Sequence, residues 1–244
     1  MNLHFETPGV FIDSFLQPLS RITDSGIMKI EPSKISCLIA TGDGTIIVYG
    51  EYTDQFKEIV DPLTLNIPDL KKLHKLLNLI DGAIDLAVDT NSVSYDSDAI
   101  RFKYHLFENG IIKTPSLNMS KLATIPFDSS FSITNEKLHN LLKGSTLNPD
   151  INKIYLSFKE NKVYAEITDK SKHNTDSYAT LISENYTGPT ISKPIPVNFE
   201  IIRLLNSSKI AEFKAKLSTK LNVFNFELIS DKVVLNYIVS ALIN

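Results

Sequence analysis

A handful of basic side chains stand at spacings that suit one kind of chemistry, the loose grip of an acidic polymer. Lys71 and Lys75 are four residues apart in the segment 68–80, so on a helix they share a face. Lys72 and Asn78 lie beside them, while Leu70, Leu73, Leu77 and Ile80 form the apolar stripe. A second amphipathic stretch from Asn135 buries Leu138, Leu141 and Leu142 and shows Lys137, His139, Asn140 and Lys143. A third from Asn198 buries Ile201, Leu204 and Leu205 and exposes Arg203, with Asn206 next to it. Taken singly, lysines on the outer face of an amphipathic helix read as ordinary solvated surface. These stand out because their faces hold few acids while the chain as a whole is acidic, with 25 Lys and Arg against 28 Asp and Glu, a net charge of −3 and a pI near 6.0. Bulk charge therefore excludes nonspecific coating of nucleic acid, and any contact with a polyanion must come from such local concentrations.

Other chemistry is poorly supplied. The histidines at 4, 74, 105, 139 and 173 show no metal-ligand spacing. Lys143-Gly144-Ser145-Thr146 has the wrong order for a phosphate loop and lacks its leading glycine, so Gly144 reads as a helix stop. Asp96-Ser97-Asp98 falls between two short strands and reads as a turn. Tyr178, Ser183 and Tyr186 form no triad with a histidine. The single cysteine, Cys37, lies in an apolar run, Ile35 to Ala40, as a buried strand thiol, and leaves no partner for a disulfide within the chain. The expectation is a protein without metal, cofactor or catalytic site.

The elements that carry the basic residues occur in a doubled order. The segment Leu65-Asn66-Ile67-Pro68-Asp69-Leu70-Lys71-Lys72-Leu73 corresponds to Pro196-Val197-Asn198-Phe199-Glu200-Ile201-Ile202-Arg203-Leu204, and a β-rich stretch follows each. In the first half, Val10, Phe11, Phe15, Leu16 and Leu19 at helical spacing predict a helix from Thr7 that is kinked or ended near Leu16 by Pro18. Strands are expected at 34–41 and 45–53 around Gly42-Asp43-Gly44, then a helix at 68–80, then strands at 83–88, 92–95 and 99–107. The second half predicts a helix from a Thr134 cap to Lys143, strands at 153–158, 162–168 and 177–184, a helix at 198–207, and strands at 212–217, 223–229 and 233–241. Between them, 108–130 carries Gly110, Pro115 and Pro126 among scattered apolar residues and reads as an extended connector. The fold class is α+β, antiparallel sheets with short helices on one face. Residues 1–107 form a first domain, 108–130 a connector and 131–244 a second, similar domain.

This arrangement resembles the DNA polymerase sliding clamp, within the fold of the proliferating cell nuclear antigen and nearest to the clamps of T4-like bacteriophages. The resemblance is carried by Ile22-Thr23-Asp24-Ser25-Gly26-Ile27-Met28, by 71–80, by the hairpin 153–168 and by the terminal strand 233–242, and it rests on order and spacing rather than a sharp motif. It implies a homotrimeric, head-to-tail closed ring of two clamp-type domains per protomer, with helices lining a central hole. It further implies that Lys71, Lys72, Lys75, Lys137, Lys143 and Arg203 face double-stranded DNA without reading its sequence, with Arg21, His139 and Lys209 as lesser contributors. The strands 99–107 and 177–184 are the candidates for pairing between protomers. The implied partners are a DNA polymerase and a clamp loader. A groove for partner peptides would draw on Ile111, Ile112, Leu117, Met119, Leu122 and Leu242, with Ile125, Ala241 and Ile243 beside them.

A second class of function stays open on the residues alone: a non-enzymatic oligomeric structural or adaptor protein with no DNA role. Either way, no apolar run approaches the ~20 residues that span a bilayer. The first residues lack the basic start and apolar core of a signal peptide, so the expected location is cytoplasmic, the host cytoplasm if phage-encoded.

Overall fold

The computed structural model describes residues 1–115, 124–172, 174–206 and 212–242. The chain divides into two compact units, Met1–Ser116 with Ile229–Leu235 and Leu117–Leu228 with Asn236–Asn244.

Unit 1 contains β1 (Asn2–Phe5), a π-helical segment (Val10–Leu16), α1 (Gln17–Ser20), β2 (Gly26–Glu31), β3 (Lys34–Ala40), β4 (Ile46–Thr53), β5 (Leu63–Ile67), α2 (Leu70–Leu77), β6 (Ile84–Val88), β7 (Ser92–Asp96) and β8 (Arg101–His105). Its strands run antiparallel in the orders β1-β6-β7-β8 and β5-β2-β3-β4. The alternation of Ile35, Cys37 and Ile39 in β3 and of Ile46, Val48 and Tyr52 in β4 sends every second side chain into one core. Phe5, Phe11, Phe15, Tyr52 and Phe56 fill it as an aromatic cluster, Phe5 and Phe11 stacked with centroids 4.7 Å apart and Tyr52 edge-on to Phe11 at 5.2 Å. The segment Ile229–Leu235 closes the β4 side of this unit. Thr53 N–H donates to the Lys232 carbonyl at 2.7 Å, and Lys232 Nζ meets Asp54 Oδ2 at 3.0 Å.

Unit 2 contains β9 (Ser129–Thr134), α3 (Asn135–Ser145), β10 (Lys153–Lys159), β11 (Lys162–Ile167), β12 (Tyr178–Ser183), β13 (Ile195–Asn198), α4 (Glu200–Asn206), β14 (Glu212–Ser218), β15 (Val223–Ile229) and the greater part of β16 (Val233–Ser240). Its orders are β9-β14-β15-β16 and β13-β10-β11-β12. Strand, helix, strands, helix, strands: element by element and sheet by sheet, unit 2 repeats unit 1. Phe199, Phe213, Phe224 and Phe226 are buried in its core. In this scheme β12 stands where β4 stands, and β8 where β16 stands. Among the described residues, β12 and β8 each end a sheet with no strand beyond them, as do β1, β5, β9 and β13.

Several elements differ from expectation, each for a local reason. The chain stays helical through Pro18: Val10–Leu16 is π-wound, Gln17 N–H reaches the Ile12 carbonyl, and Pro18 falls in the first turn of α1, where its missing N–H costs nothing. Helix α2 begins after Asp69 rather than at Pro68, because the Asp69 carboxylate accepts from Lys72 N–H at 2.8 Å and caps it. Likewise α4 starts at Glu200, since 195–198 pairs with β10 and the Asn198 side chain accepts from Glu200 N–H at 2.9 Å. Gly144 does not stop α3. It is buried inside the last turn, with the Tyr178 ring packed where a side chain would stand. Strands β1, β2, β5, β9 and β13 are additions, and β9 straddles the expected boundary at 130, with Ser129 and Ser130 in the stretch read as connector.

Two outcomes follow from this packing. A Cβ at position 144 would lie 2.1 Å from Tyr178 Cε1, whereas one at Gly42 meets nothing within 4 Å. Gly144→Ala should therefore destabilise the protein by about 1–3 kcal/mol through overpacking, with Gly42→Ala near neutral, as read by thermal melting. At Asp54, burial opposes ionisation, but hydrogen bonds from Tyr52 and Lys232 outweigh it and hold the carboxyl below its ordinary range. A carboxyl depressed in the folded state stabilises fully above the carboxylate range of the unfolded chain, and that contribution is lost as pH falls through the folded value. Between about pH 6 and about pH 3, the melting temperature of Asp54→Asn should fall less steeply than that of the parent; equal slopes would contradict this.

Candidate functional site

The basic helices are positioned by their apolar stripes. Leu70, Leu73 and Leu77 bury one side of α2 against unit 1, which leaves Lys71, Lys72 and Lys75 exposed on the other. The Asp69 cap fixes where the helix starts, and Leu70 N–H bonds the Asp24 carbonyl at 2.6 Å. Asp24 also takes Lys71, Nζ to Oδ1 at 3.0 Å, so the first lysine shares its charge with a neighbour. Lys72 and Lys75 form no ion pair among the described residues.

His74 lies between them, half-buried. Burial holds its pKa below the usual histidine range; Asp13 pulls the other way and Arg21 adds to the depression. Asn78 Nδ2 donates to its Nε2 at 3.0 Å, which suits a neutral ring with its proton on Nδ1. On the face of α2, the lysines therefore supply the charge near neutral pH and the histidine does not.

In unit 2, α3 packs against α4. Thr134 caps α3 by accepting from Lys137 N–H at 3.4 Å, and Leu138 and Leu141 anchor it. Lys143 is exposed, Lys137 half-buried, and His139 exposed between them. Arg203 of α4 is more constrained than its spacing suggested. Its guanidinium donates to Glu200 Oε2 at 2.9 Å and lies 5.0 Å from the centre of the Phe199 ring, so only part of its charge faces outward. The structure thus gathers Lys71, Lys72 and Lys75 on one helix of unit 1, and Lys137, Lys143 and Arg203 on two packed helices of unit 2. Lys209 lies outside the described residues.

The residues expected to form a peptide groove are divided. Ile112 lines a cleft of about 390 Å³ in unit 1, against Gly26, Leu38 and Ala40, and Ile111 is 55% exposed beside it. The chain leading there is tied along β5: Phe107 N–H bonds the Asn66 carbonyl at 2.9 Å and the buried Asn66 side chain donates to Asn109 at 2.8 Å. Leu242 lines a cleft of about 750 Å³ in unit 2, with Ala241, Leu221 and the proline-rich segment 189–196, whose last two residues begin β13. Ala241 N–H to the Asn222 carbonyl and Leu242 N–H to the Pro196 carbonyl, both 2.8 Å, hold its floor. Leu117, Met119 and Leu122 lie outside the described residues. The segment 189–196 and Leu221 were not anticipated. Three prolines spaced among Ile191 and Ile195 were the available signal, because such a segment presents apolar rings without N–H groups that need partners.

No helix among the described residues is long and apolar enough to cross a membrane. No cluster of His, Cys, Asp and Glu fit for a metal ion occurs among them.

No protein-family model and no curated protein matches the chain in sequence. Solved structures do match it in fold. The proliferating cellular nuclear antigen of Entamoeba histolytica superposes with a TM-score of 0.77 at 16% identity, over 99% of this chain and 98% of that one. The PCNA of A. fulgidus, solved with the C-terminal region of FEN-1 bound, gives 0.77 at 11% identity over 100% and 98%. A putative DNA polymerase III beta subunit from Eubacterium rectale gives 0.72 at 14% identity, over 99% of this chain and 65% of that one. The chain has the sliding-clamp fold, α+β in class.

The geometry ranks the cations. On an immobilised heparin column, used as a plain polyanion, Lys72→Ala, Lys75→Ala and Lys143→Ala should each lower the eluting salt concentration. Lys71→Ala and Arg203→Ala should lower it less, since Asp24 and Glu200 already offset them. A larger shift for Arg203→Ala than for Lys75→Ala would contradict the ranking.

Proposed function

We propose that this chain is one protomer of a DNA sliding clamp, three copies of which close head to tail into a ring around duplex DNA and tether a replicative polymerase. The observation that carries this reading is where charge sits in the twice-built fold. Helices α2, α3 and α4 present Lys71, Lys72, Lys75, Lys137, Lys143 and Arg203 against Glu136 and Glu200 alone, in a chain whose acids outnumber its bases. Lysines on helix faces bind phosphates weakly, exchangeably and without regard to base sequence. A ring that holds DNA by topology needs no more than that, and a tighter grip would stop it sliding.

Two further observations support the reading. Strands β8 and β12, two of the six that end a sheet among the described residues, fall within 99–107 and 177–184, the segments assigned to pairing between protomers. A protein of the same fold has been solved with a C-terminal region of another protein bound, in keeping with reading the clefts at Ile112 and Leu242 as parts of a partner-peptide groove. The finer reading, a clamp of the T4-like phage kind with domains at 1–107 and 131–244 joined by 108–130, rests on the resemblance in order and spacing read from the sequence. On this reading the chain is not itself an enzyme: energy for opening the ring comes from an ATP-driven loader, and the protein works in the cytoplasm, with the replicating DNA.

The test is binding to a short linear duplex, which a ring can thread over an open end without a loader. Fluorescence anisotropy at low salt should show affinity that is independent of sequence and falls with salt. The variant Lys71→Glu, Lys72→Glu, Lys75→Glu should bind at least about tenfold more weakly while keeping its native mass. Equal binding by both proteins, or none by either, would move the assignment to an oligomeric adaptor with no DNA role.

A further inference from the structure

The cleft of about 750 Å³ in unit 2 is walled by apolar side chains, among them Ile191, Pro194, Leu221 and Leu242, with uncharged polar groups between them. Among the described residues, Lys193 is the one charged residue on that wall. It is exposed and forms no ion pair among the described residues. Lys220, exposed as well, sits in the turn between the lining residues Thr219 and Leu221. The carboxylate tied to this turn belongs to Asp128, which is occupied in accepting from Thr219 N–H at 3.1 Å, from the Thr219 hydroxyl and from Ser129. Asp128 lines a separate, smaller cleft.

A trough of mixed apolar and uncharged polar lining, with an unpaired cation on its wall and no acid among its described lining residues, discriminates by charge. A peptide whose apolar anchors are flanked by Asp or Glu gains attraction on approach and in place, whereas one flanked by Lys or Arg meets a like charge. The contrast with the rest of this acidic chain sharpens the choice, because its net charge of −3 would otherwise favour basic segments. We infer that Lys193 is a specificity-determining residue of this groove, selecting apolar peptide segments with an acidic flank. The inference rests on the partner-groove reading above.

The experiment is selection of a random displayed peptide library on the full-length protein, in parallel with Lys193→Glu and Leu221→Gln. Both altered side chains are exposed, so the fold is left intact. Peptides recovered on the parent should combine apolar residues with enriched Asp or Glu. They should bind Lys193→Glu at least about fivefold more weakly at low salt, with the difference shrinking as salt rises, and bind Leu221→Gln weakly at any salt. Recovered peptides that need Leu221 but show no acidic enrichment, or bind Lys193→Glu equally, would overturn the role of Lys193 and leave the groove standing. Failure to recover peptides that depend on Leu221 would overturn the groove reading and this inference with it.

Discussion

The rest of the structure depends on a constraint of the backbone: each N–H and carbonyl in a strand needs a partner, and a sheet edge leaves a row of them without one. The fold meets this need unevenly. In unit 1, Ile229–Leu235 covers the β4 side, and Glu58 takes the N–H of Asn2 at 2.7 Å at the start of β1. Among the described residues, the strand that corresponds to β4 in unit 2, β12, has no such cover, and neither has β8, which corresponds to β16. On the proposed reading one copy's β8 gives the next copy's β12 the kind of partner that β4 already has. Such a pairing joins two different surfaces of one chain, so it repeats head to tail and ends only by closing on itself. Arg101 and Lys103 are exposed along β8, and charge on an edge strand opposes indiscriminate edge-to-edge association.

The same strand that stays open is set in place from behind. Tyr178 opens β12 and its ring lies against Gly144, so α3 and the edge strand approach closely. The helix that carries Lys137 and Lys143 is thereby coupled to the edge available for assembly. Charge follows the same division. Leucines anchor the basic helices to their own unit and leave Lys71, Lys72, Lys75 and Lys143 exposed, with few acids on the helices themselves. A surface built this way suits weak contacts that exchange freely, which is what movement along a phosphate backbone requires.

Much of this was legible in the residues. The Leu70, Leu73, Leu77 stripe beside Lys71 and Lys75 declares its helix, and Gly42-Asp43-Gly44 declares the β3–β4 hairpin. What escaped depends on distant partners. Strand β1 has four residues and is stabilised by β6, some eighty positions away. Strand β13 holds Pro196 and reads as loop, yet Pro196 sits in register with Tyr155 on an outer strand of its sheet, where a missing N–H is tolerated. Gly144 looked like a helix stop because its real constraint, the ring of Tyr178, comes from a strand far along the chain. In the candidate site, the exposure of Lys71, Lys72, Lys75 and Lys143 was legible, but the half-burial of Lys137 and the ion pairing were not. The offset of Lys71 by Asp24 depends on tertiary placement, and that of Arg203 by Glu200 on a side-chain rotamer. The cleft at Leu242 was only half visible, since the segment 189–196 has no periodicity to announce it.

The measurement that tests the central claim most directly is the mass of the native particle, by size-exclusion chromatography with light scattering over a dilution series. The account predicts a mass of three times the 27.3 kDa protomer, falling toward a single protomer on dilution as edge pairing is lost. A monomer at every concentration, or an even-numbered assembly, would contradict a ring closed head to tail through β8 and β12.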